Sequence, residues 1–208
     1  MNIIVADDHS VVRRGLLQIV GTQPGWRVVA EVGRAEELLS TLRSTSADLL
    51  VLDVSLDGRS GLDLLSTIRA EFSSLPVLML SMHAEEQYAL HCLRAGAAGY
   101  IQKDRSPEEL IEAMRRVGTG HTYFSGVVLD QLAAEFVRGP SGLPHHRLSA
   151  RELEVFRHIA QGRSVGQIAE LLHLSVKTVS TYRTRVMEKT GFRTNADLIA
   201  YAIRNKLV

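Results

Sequence analysis

Three carboxylates stand where apolar runs of the chain stop. Asn2-Ile3-Ile4-Val5-Ala6 ends on Asp7 and Asp8, and Leu49-Leu50-Val51-Leu52 ends on Asp53. If the two runs are neighbouring strands, the three acids converge at one sheet edge. Carboxylates that close repel one another unless a cation sits among them. Oxygen donors of this kind suit a hard ion, Mg²⁺ (or Mn²⁺).

The elements that would position these groups can be read from periodicity. Residues 49–52 are apolar without polar alternation, as in a strand covered on both faces of a parallel sheet. Similar runs at 2–6, 27–31, 76–81 and 99–101 alternate with helical patterns at 11–20, 35–43, 62–71, 85–95 and 107–117. Five such alternations predict an α/β doubly wound, five-stranded parallel sheet, whose strands expose their carboxyl ends at one edge. Ser106-Pro107-Glu108-Glu109 supplies the last helix with a cap, a first-turn proline and a capping-box glutamate. Residues 121–144 then form a connection, with a short helical pattern at 127–137 and a Gly/Pro-broken tract from Arg138 to Pro144. From 145 to 208 the period is helical throughout, which predicts a small all-α domain. Ser149, Ser164 and Ser175 stand as caps ahead of helices ending near 161, 172 and 190, and a fourth helix covers 196–205. The expected partition is 1–120, a linker at 121–144, and 145–208.

Charge is divided along the same line. Residues 145–208 carry 11 Lys/Arg against 5 Asp/Glu, whereas 1–144 carry 13 against 18. An acidic first part and a basic last part suggest a signalling module joined to a nucleic-acid binder. No apolar run approaches the roughly 18 residues of a membrane span, and no charged-then-apolar leader opens the chain. The single cysteine, Cys92, excludes an intramolecular disulfide and reads as a packing residue, so a cytoplasmic setting is expected. His145 and His146 are adjacent in a loop with no further ligands nearby, which argues against a metal site there.

Strand-Asp7-Asp8, strand-Asp53, strand-Ser81 and Tyr100-Ile101-Gln102-Lys103, in that order over about the first 120 residues, resemble the flavodoxin-like receiver domain of two-component response regulators. The resemblance implies phosphoryl transfer to Asp53. Asp8, with Asp7 beside it, and Asp53 would hold Mg²⁺, joined by the backbone carbonyl of Ser55. Lys103 would be the fixed cation, Ser81 would donate its hydroxyl to a phosphate oxygen, and Tyr100 would be the aromatic that follows it. One departure stands out. The family commonly has Met-Pro in the loop after the phosphoacceptor, but this chain has Leu56-Asp57, losing the proline's stiffness and adding a charge. Asp57 itself reads as a turn residue before Gly58.

Leu148-Ser149-Ala150-Arg151-Glu152, Gly162-Arg163-Ser164, Ile168-Ala169, Ser175-Val176-Lys177-Thr178-Val179 and Lys189-Thr190-Gly191 resemble the LuxR-type helix-turn-helix. With the receiver ahead of it, the chain is similar to the NarL/FixJ response regulators. The helix from Val176 would leave Lys177, Thr178, Ser180, Thr181, Arg183, Thr184 and Arg185 outward. Lys177, Ser180, Thr181 and Thr184 would reach bases in a major groove, and Thr178, Arg183 and Arg185 would reach phosphates. Ile168, Ala169, Leu172, Val176, Val179, Val186 and Met187 would form the apolar side. Leu198, Ile199 and Ala202 are candidate dimer residues. The family also implies a sensor histidine kinase as phosphodonor, double-stranded DNA with paired half-sites, homodimerisation on phosphorylation, and RNA polymerase as a further contact.

Two other functions are weighed against this reading. An aspartate-nucleophile phosphohydrolase would need a second carboxylate two residues after the nucleophile, where Ser55 stands, so the chain is expected not to be an enzyme beyond its own phosphoryl transfer. A DNA-binding regulator using its receiver as a phosphorylation-independent dimerisation scaffold would not need the full acidic set.

Overall fold

The computed structural model describes residues 1–208 except 58, 83, 84, 139–142, 173 and 206, and all their side chains except those of 86, 87, 134–138, 146 and 150. The Gly58 side of the expected turn, most of the Gly/Pro tract, His173 and the side chain of His146 therefore lie outside the described residues. The chain divides into two compact units, Met1–Leu132 and Ala133–Val208. No described helix is long and apolar enough to cross a membrane.

The first unit alternates β1 (Asn2–Ala6), α1 (Ser10–Gly21), β2 (Arg27–Val32), α2 (Ala35–Ser44) and β3 (Leu49–Asp53). A small hairpin follows, β4 (Ser55–Leu56) and β5 (Arg59–Ser60). Then come α3 (Gly61–Glu71), β6 (Val77–Ser81), α4 (Glu85–Arg94), β7 (Gly99–Gln102) and α5 (Pro107–Gly118). The five long strands are parallel in the order β2-β1-β3-β6-β7. Every residue of β3 and β6 is buried, as their unbroken apolar runs require. Ile3, Val5, Leu49, Val51, Leu78 and Leu80 pack on one face with Leu16, Val20, Leu110, Met114 and Val117 from α1 and α5. The alternate residues Ile4, Leu50, Leu52 and Met79 are buried on the other face, following the two-residue period of a strand.

The unit runs past α5. Tyr123 bridges Gly99 in parallel, and α6 (Gly126–Arg138) begins within it. The helical pattern expected at 127–137 is thus present as α6, but its first residues, with those leading to it, belong to the receiver unit.

The second unit holds a 3-10 turn (Pro144–Arg147) and α7 (Ala150–Ala160), α8 (Val165–Leu171), α9 (Val176–Thr190) and α10 (Asn195–Arg204). Each helix starts on a side-chain cap, Ser149, Ser164, Ser175 and Thr194 respectively. Such caps satisfy N–H groups that the first turn leaves without partners, each contributing about 1 kcal/mol. Gly191 ends α9 in the left-handed region at φ 76°, which glycine adopts without penalty. The core gathers Phe156, Ile159, Ile168, Leu172, Val179, Val186, Leu198 and Ala202.

Two expectations change here. Leu198 and Ala202 are fully buried in this core. Their four-residue spacing puts them on one face of α10, and that face is spent on α7, so they are not dimer contacts. Ile199 is half-buried and Ile203 is the exposed apolar residue of α10. Val176, expected on the apolar side, is 56% exposed because it occupies the first turn of α9, ahead of the packed stretch.

Candidate functional site

Register brings the acids together. The strand order reverses between β1 and β3, and an open α/β sheet has its crevice at that reversal, beyond the carboxyl ends of the strands. Ala6 pairs with Leu52, so Asp7 and Asp53 leave adjacent strands at the same level. Asp53 pairs with Leu80 and Ser81 with Gln102, so Ser81 and Lys103 arrive at the same rim.

Lys103 Nζ lies 2.7 Å from Asp53 Oδ2 and 2.7 Å from Asp7 Oδ2. All three groups are buried, Lys103 with only 3% of its side chain exposed. Burial pushes the Asp53 carboxyl up; Lys103 pulls it down and Asp7 pushes it up again, leaving it at about 6. For Lys103, burial opposes the charge, but the two carboxylates outweigh it and hold its pKa above the ordinary lysine value. Ser55 donates its backbone N–H to Asp53 Oδ1 at 3.2 Å. Ser81 and Tyr100 are both buried, on the neighbouring strands β6 and β7. Burial raises the Tyr100 phenol far out of its ordinary range, so it stays neutral.

Three further groups at the site were not legible in the sequence. His9 precedes α1, and its Nδ1 is 2.7 Å from Asp8, 3.2 Å from Asp7 and 3.9 Å from Asp53. Arg13, which reads as a solvated residue of an amphipathic helix, is half-buried and donates to the backbone oxygen of Asp7 at 2.6 Å. The segment after Asp53 is the β4–β5 hairpin, Ser55 opposite Ser60 and Leu56 opposite Arg59. Its tip holds Asp57 at φ 49°, a conformation that Asp tolerates better than most residues. The Asp57 N–H donates to Asp8 Oδ2 at 3.2 Å. Where the family has Met-Pro, this segment is thus held by a two-residue ladder and one bond to the acidic set. Gly61 permits the closest approach: a Cβ there would collide with the Asp53 carbonyl oxygen.

The residues fit a divalent cation. One ligand atom from each of Asp7, Asp8, His9 and Asp53 lies within 4.8 Å of the others. Three carboxylates face a single ammonium, an excess of negative charge that a hard dication would balance.

In the second unit, α9 presents Lys177, Ser180, Thr181, Thr184 and Arg185 as exposed, with Thr178 and Arg183 half-buried. Several are already engaged. The Thr178 hydroxyl meets that of Ser175 at 2.7 Å within the cap. Thr181 and Thr184 donate to the carbonyls of Lys177 and Ser180, leaving their oxygens as acceptors. Arg183 Nε donates to Asn195 Oδ1 at 3.0 Å, which ties α9 to the start of α10. Underneath, Glu152 accepts from Lys189 Nζ and from the Ser149 N–H, each at 2.6 Å, fastening α7 to α9. His145 meets the Tyr201 hydroxyl at 2.7 Å, a structural contact.

Known proteins place both units. Residues 3–115 match the response regulator receiver domain family, and residues 146–202 match the bacterial regulatory proteins, luxR family. The oxygen regulatory protein NreC of Staphylococcus carnosus is 37% identical over all of this chain and 99% of its own length. The NreC of Staphylococcus epidermidis is 38% identical with the same coverage. RcsB of Salmonella enterica serovar Typhimurium, solved on the promoter P1flhDC in the presence of phosphomimetic BeF₃⁻, has a TM-score of 0.66 and 29% identity, covering 97% of both chains. Two matched families in series and full-length similarity make this chain a member of the two-component response regulators that couple a receiver to a LuxR-type helix-turn-helix, a phosphorylation-controlled DNA-binding regulator.

Proposed function

We propose that Asp53 is the phosphoacceptor through which this regulator is controlled, and that α9 reads DNA. The observation that carries the first part is the ammonium of Lys103 held 2.7 Å from both Asp53 and Asp7 at the rim of the sheet. A sensor histidine kinase is the natural donor. Asp53 attacks the phosphorus of its phosphohistidine, forming a P–O bond as the P–N bond breaks with its electron pair leaving on the imidazole nitrogen. Asp7, Asp8, Asp53 and the backbone carbonyl of Ser55 would hold Mg²⁺ (or Mn²⁺), which supplies charge neutralisation for the transferring phosphoryl oxygens. Lys103 pairs with a phosphoryl oxygen once its bond to Asp53 is given up. Ser81 turns its hydroxyl to another, and Tyr100 repacks.

The DNA reading assigns Lys177, Ser180, Thr181 and Thr184 to base edges. Arg185 and the α9 N-terminus at Thr178 contact phosphates, while Arg183 acts from its tie to Asn195. RcsB has been solved as two dimers on two DNAs. By that analogy a dimer of this chain spans paired half-sites; RNA polymerase as a further contact, and a cytoplasmic setting, rest on the family resemblance alone. Ile199 stays a candidate for the dimer contact, and the exposed Ile203 replaces the buried Leu198 and Ala202. The receiver, a connection and the DNA-binding domain remain the functional partition, with residues 121–132 assigned to the receiver side.

Intact mass after incubation with Mg²⁺ and a small acyl phosphate tests the core of this. One added phosphoryl group in the wild type, absent in Asp53→Asn, is expected. An adduct that persists in Asp53→Asn would overturn the assignment.

A further inference from the structure

The segment that follows α5 is not a free tether. Tyr123 makes an isolated parallel bridge to β7: its N–H donates to the Ala98 carbonyl and its own carbonyl accepts from the Tyr100 N–H, both at 3.0 Å. Two residues on, the Ser125 N–H donates to the Glu85 carboxylate at 2.8 Å, joining the start of α6 to the first residue of α4. The Ser125 hydroxyl then accepts from Val128, and Val128 is buried. The fit is close. A Cβ on Gly99 would meet Leu78 and Val117 at 2.9 Å and the Tyr123 Cβ at 3.1 Å, so the glycine lets the core and the bridging residue approach β7 together. The β7 edge of the sheet is thereby partnered at one point by the chain's own connecting segment.

Tyr100 is the joint. It is buried on the strand paired with the one that ends in Ser81, and its backbone N–H holds Tyr123. We propose that residues 121–125 are a strap that reports the state of Asp53 to α6, with Glu85 and Tyr123 as its positioning residues. The strap is closed in the unphosphorylated chain and loosened when phosphate draws the Ser81 hydroxyl to itself and Tyr100 repacks. This rests on the reading of Asp53, Ser81 and Tyr100 as the switch. A segment held by two backbone bonds and one carboxylate is among the cheapest parts of the unit to open, because it adds few buried contacts to those of the sheet proper. It is also the part of the receiver that leads directly into the chain running on to the DNA-binding unit. A local change at Tyr100 would thus act on the geometry of α6 without unfolding the sheet.

Hydrogen exchange with mass detection on the full chain tests the strap, comparing Mg²⁺ alone with Mg²⁺ and beryllium trifluoride. Peptides over 77–82 report the switch, and peptides over 121–128 report the strap. The expected result is faster exchange of the 121–128 amides with trifluoride, by about tenfold, and no response in Asp53→Asn. Glu85→Ala is expected to speed the same amides several-fold without trifluoride and to shrink their response to it. Glu85→Gln, which keeps an acceptor oxygen, is expected to restore protection. A trifluoride response over 77–82 with unchanged exchange over 121–128 would overturn the strap and leave the switch standing. No response over either stretch would sink the switch reading and the strap with it. Glu85→Gln exchanging like Glu85→Ala would remove Glu85 from the device.

Discussion

Asp53→Asn in metal-free protein removes a charge that the fold holds under strain. The ordinary aspartate value is 3.8, and in the folded receiver the Asp53 carboxyl sits at about 6 because it is buried beside Asp7 with only Lys103 to share. Between those values the folded chain binds more protons at this residue than the unfolded chain. Stability therefore falls as pH rises through that window and levels off above it. Two pH units correspond to about 3 kcal/mol of lost stability at pH 7.5. Asparagine carries no charge at any of these pH values, and Lys103 keeps Asp7 at 2.7 Å. The variant should therefore be more stable than the wild type by about 1–3 kcal/mol at pH 7.5, with roughly half of that difference gone at pH 5. Urea unfolding in chelator, followed by fluorescence, is the assay. Trp26 is the sole tryptophan and lies half-buried against the receiver core under Arg115, so the signal reports this unit. Saturating Mg²⁺ should stabilise the wild type and close the gap, since a ligand of the folded state raises its stability. A variant no more stable than wild type at pH 7.5, or a gap that ignores pH, would refute the argument that Asp53 is held as a strained acid awaiting a cation.

Other expectations follow from single contacts. Gly61→Ala should impair phosphoryl uptake in the intact-mass assay, because the added methyl meets the Asp53 backbone, which cannot swing aside as a side chain would. Glu152→Gln should lower the stability of the second unit by roughly 1–3 kcal/mol, the range for breaking a buried charged hydrogen bond, seen by circular dichroism while the Trp26 transition stays in place. Burial pushes Glu152 up, but Lys189 and the Ser149 cap outweigh it and hold its pKa below the ordinary value. Its contribution is therefore present above the unfolded glutamate value and lost as pH falls through the folded one, so the wild-type advantage should shrink on acidification. Arg185→Ala should reduce the slope of log affinity against log salt for duplex DNA by about 0.9, the value of one phosphate contact; an unchanged slope would take Arg185 off the phosphates.

Which residues would meet at the rim was readable because strand ends are readable. An apolar run without alternation marks a strand buried on both faces, and the polar residue that stops it must leave the sheet at an end. Asp7, Asp8 and Asp53 follow from that rule once the strands are parallel, and parallel strands follow from the helices between them; Ser81 and Lys103 came from the resemblance to receiver domains. The serine caps and Gly191 were equally local, since a cap bonds within its own first turn. What the sequence left open depended on direction and on distant neighbours. His9 and Arg13 are polar residues at the start of a helix, and nothing in their spacing says that they turn toward the acids. Leu198 and Ala202 share a face with one another, but only the packing of α10 on α7 decides that this face is the core. Residues 121–125 have no strand period to recognise. Tyr123 bridges β7 because that edge offers it backbone partners, and hydrogen bonds to an edge are a property of the folded sheet alone.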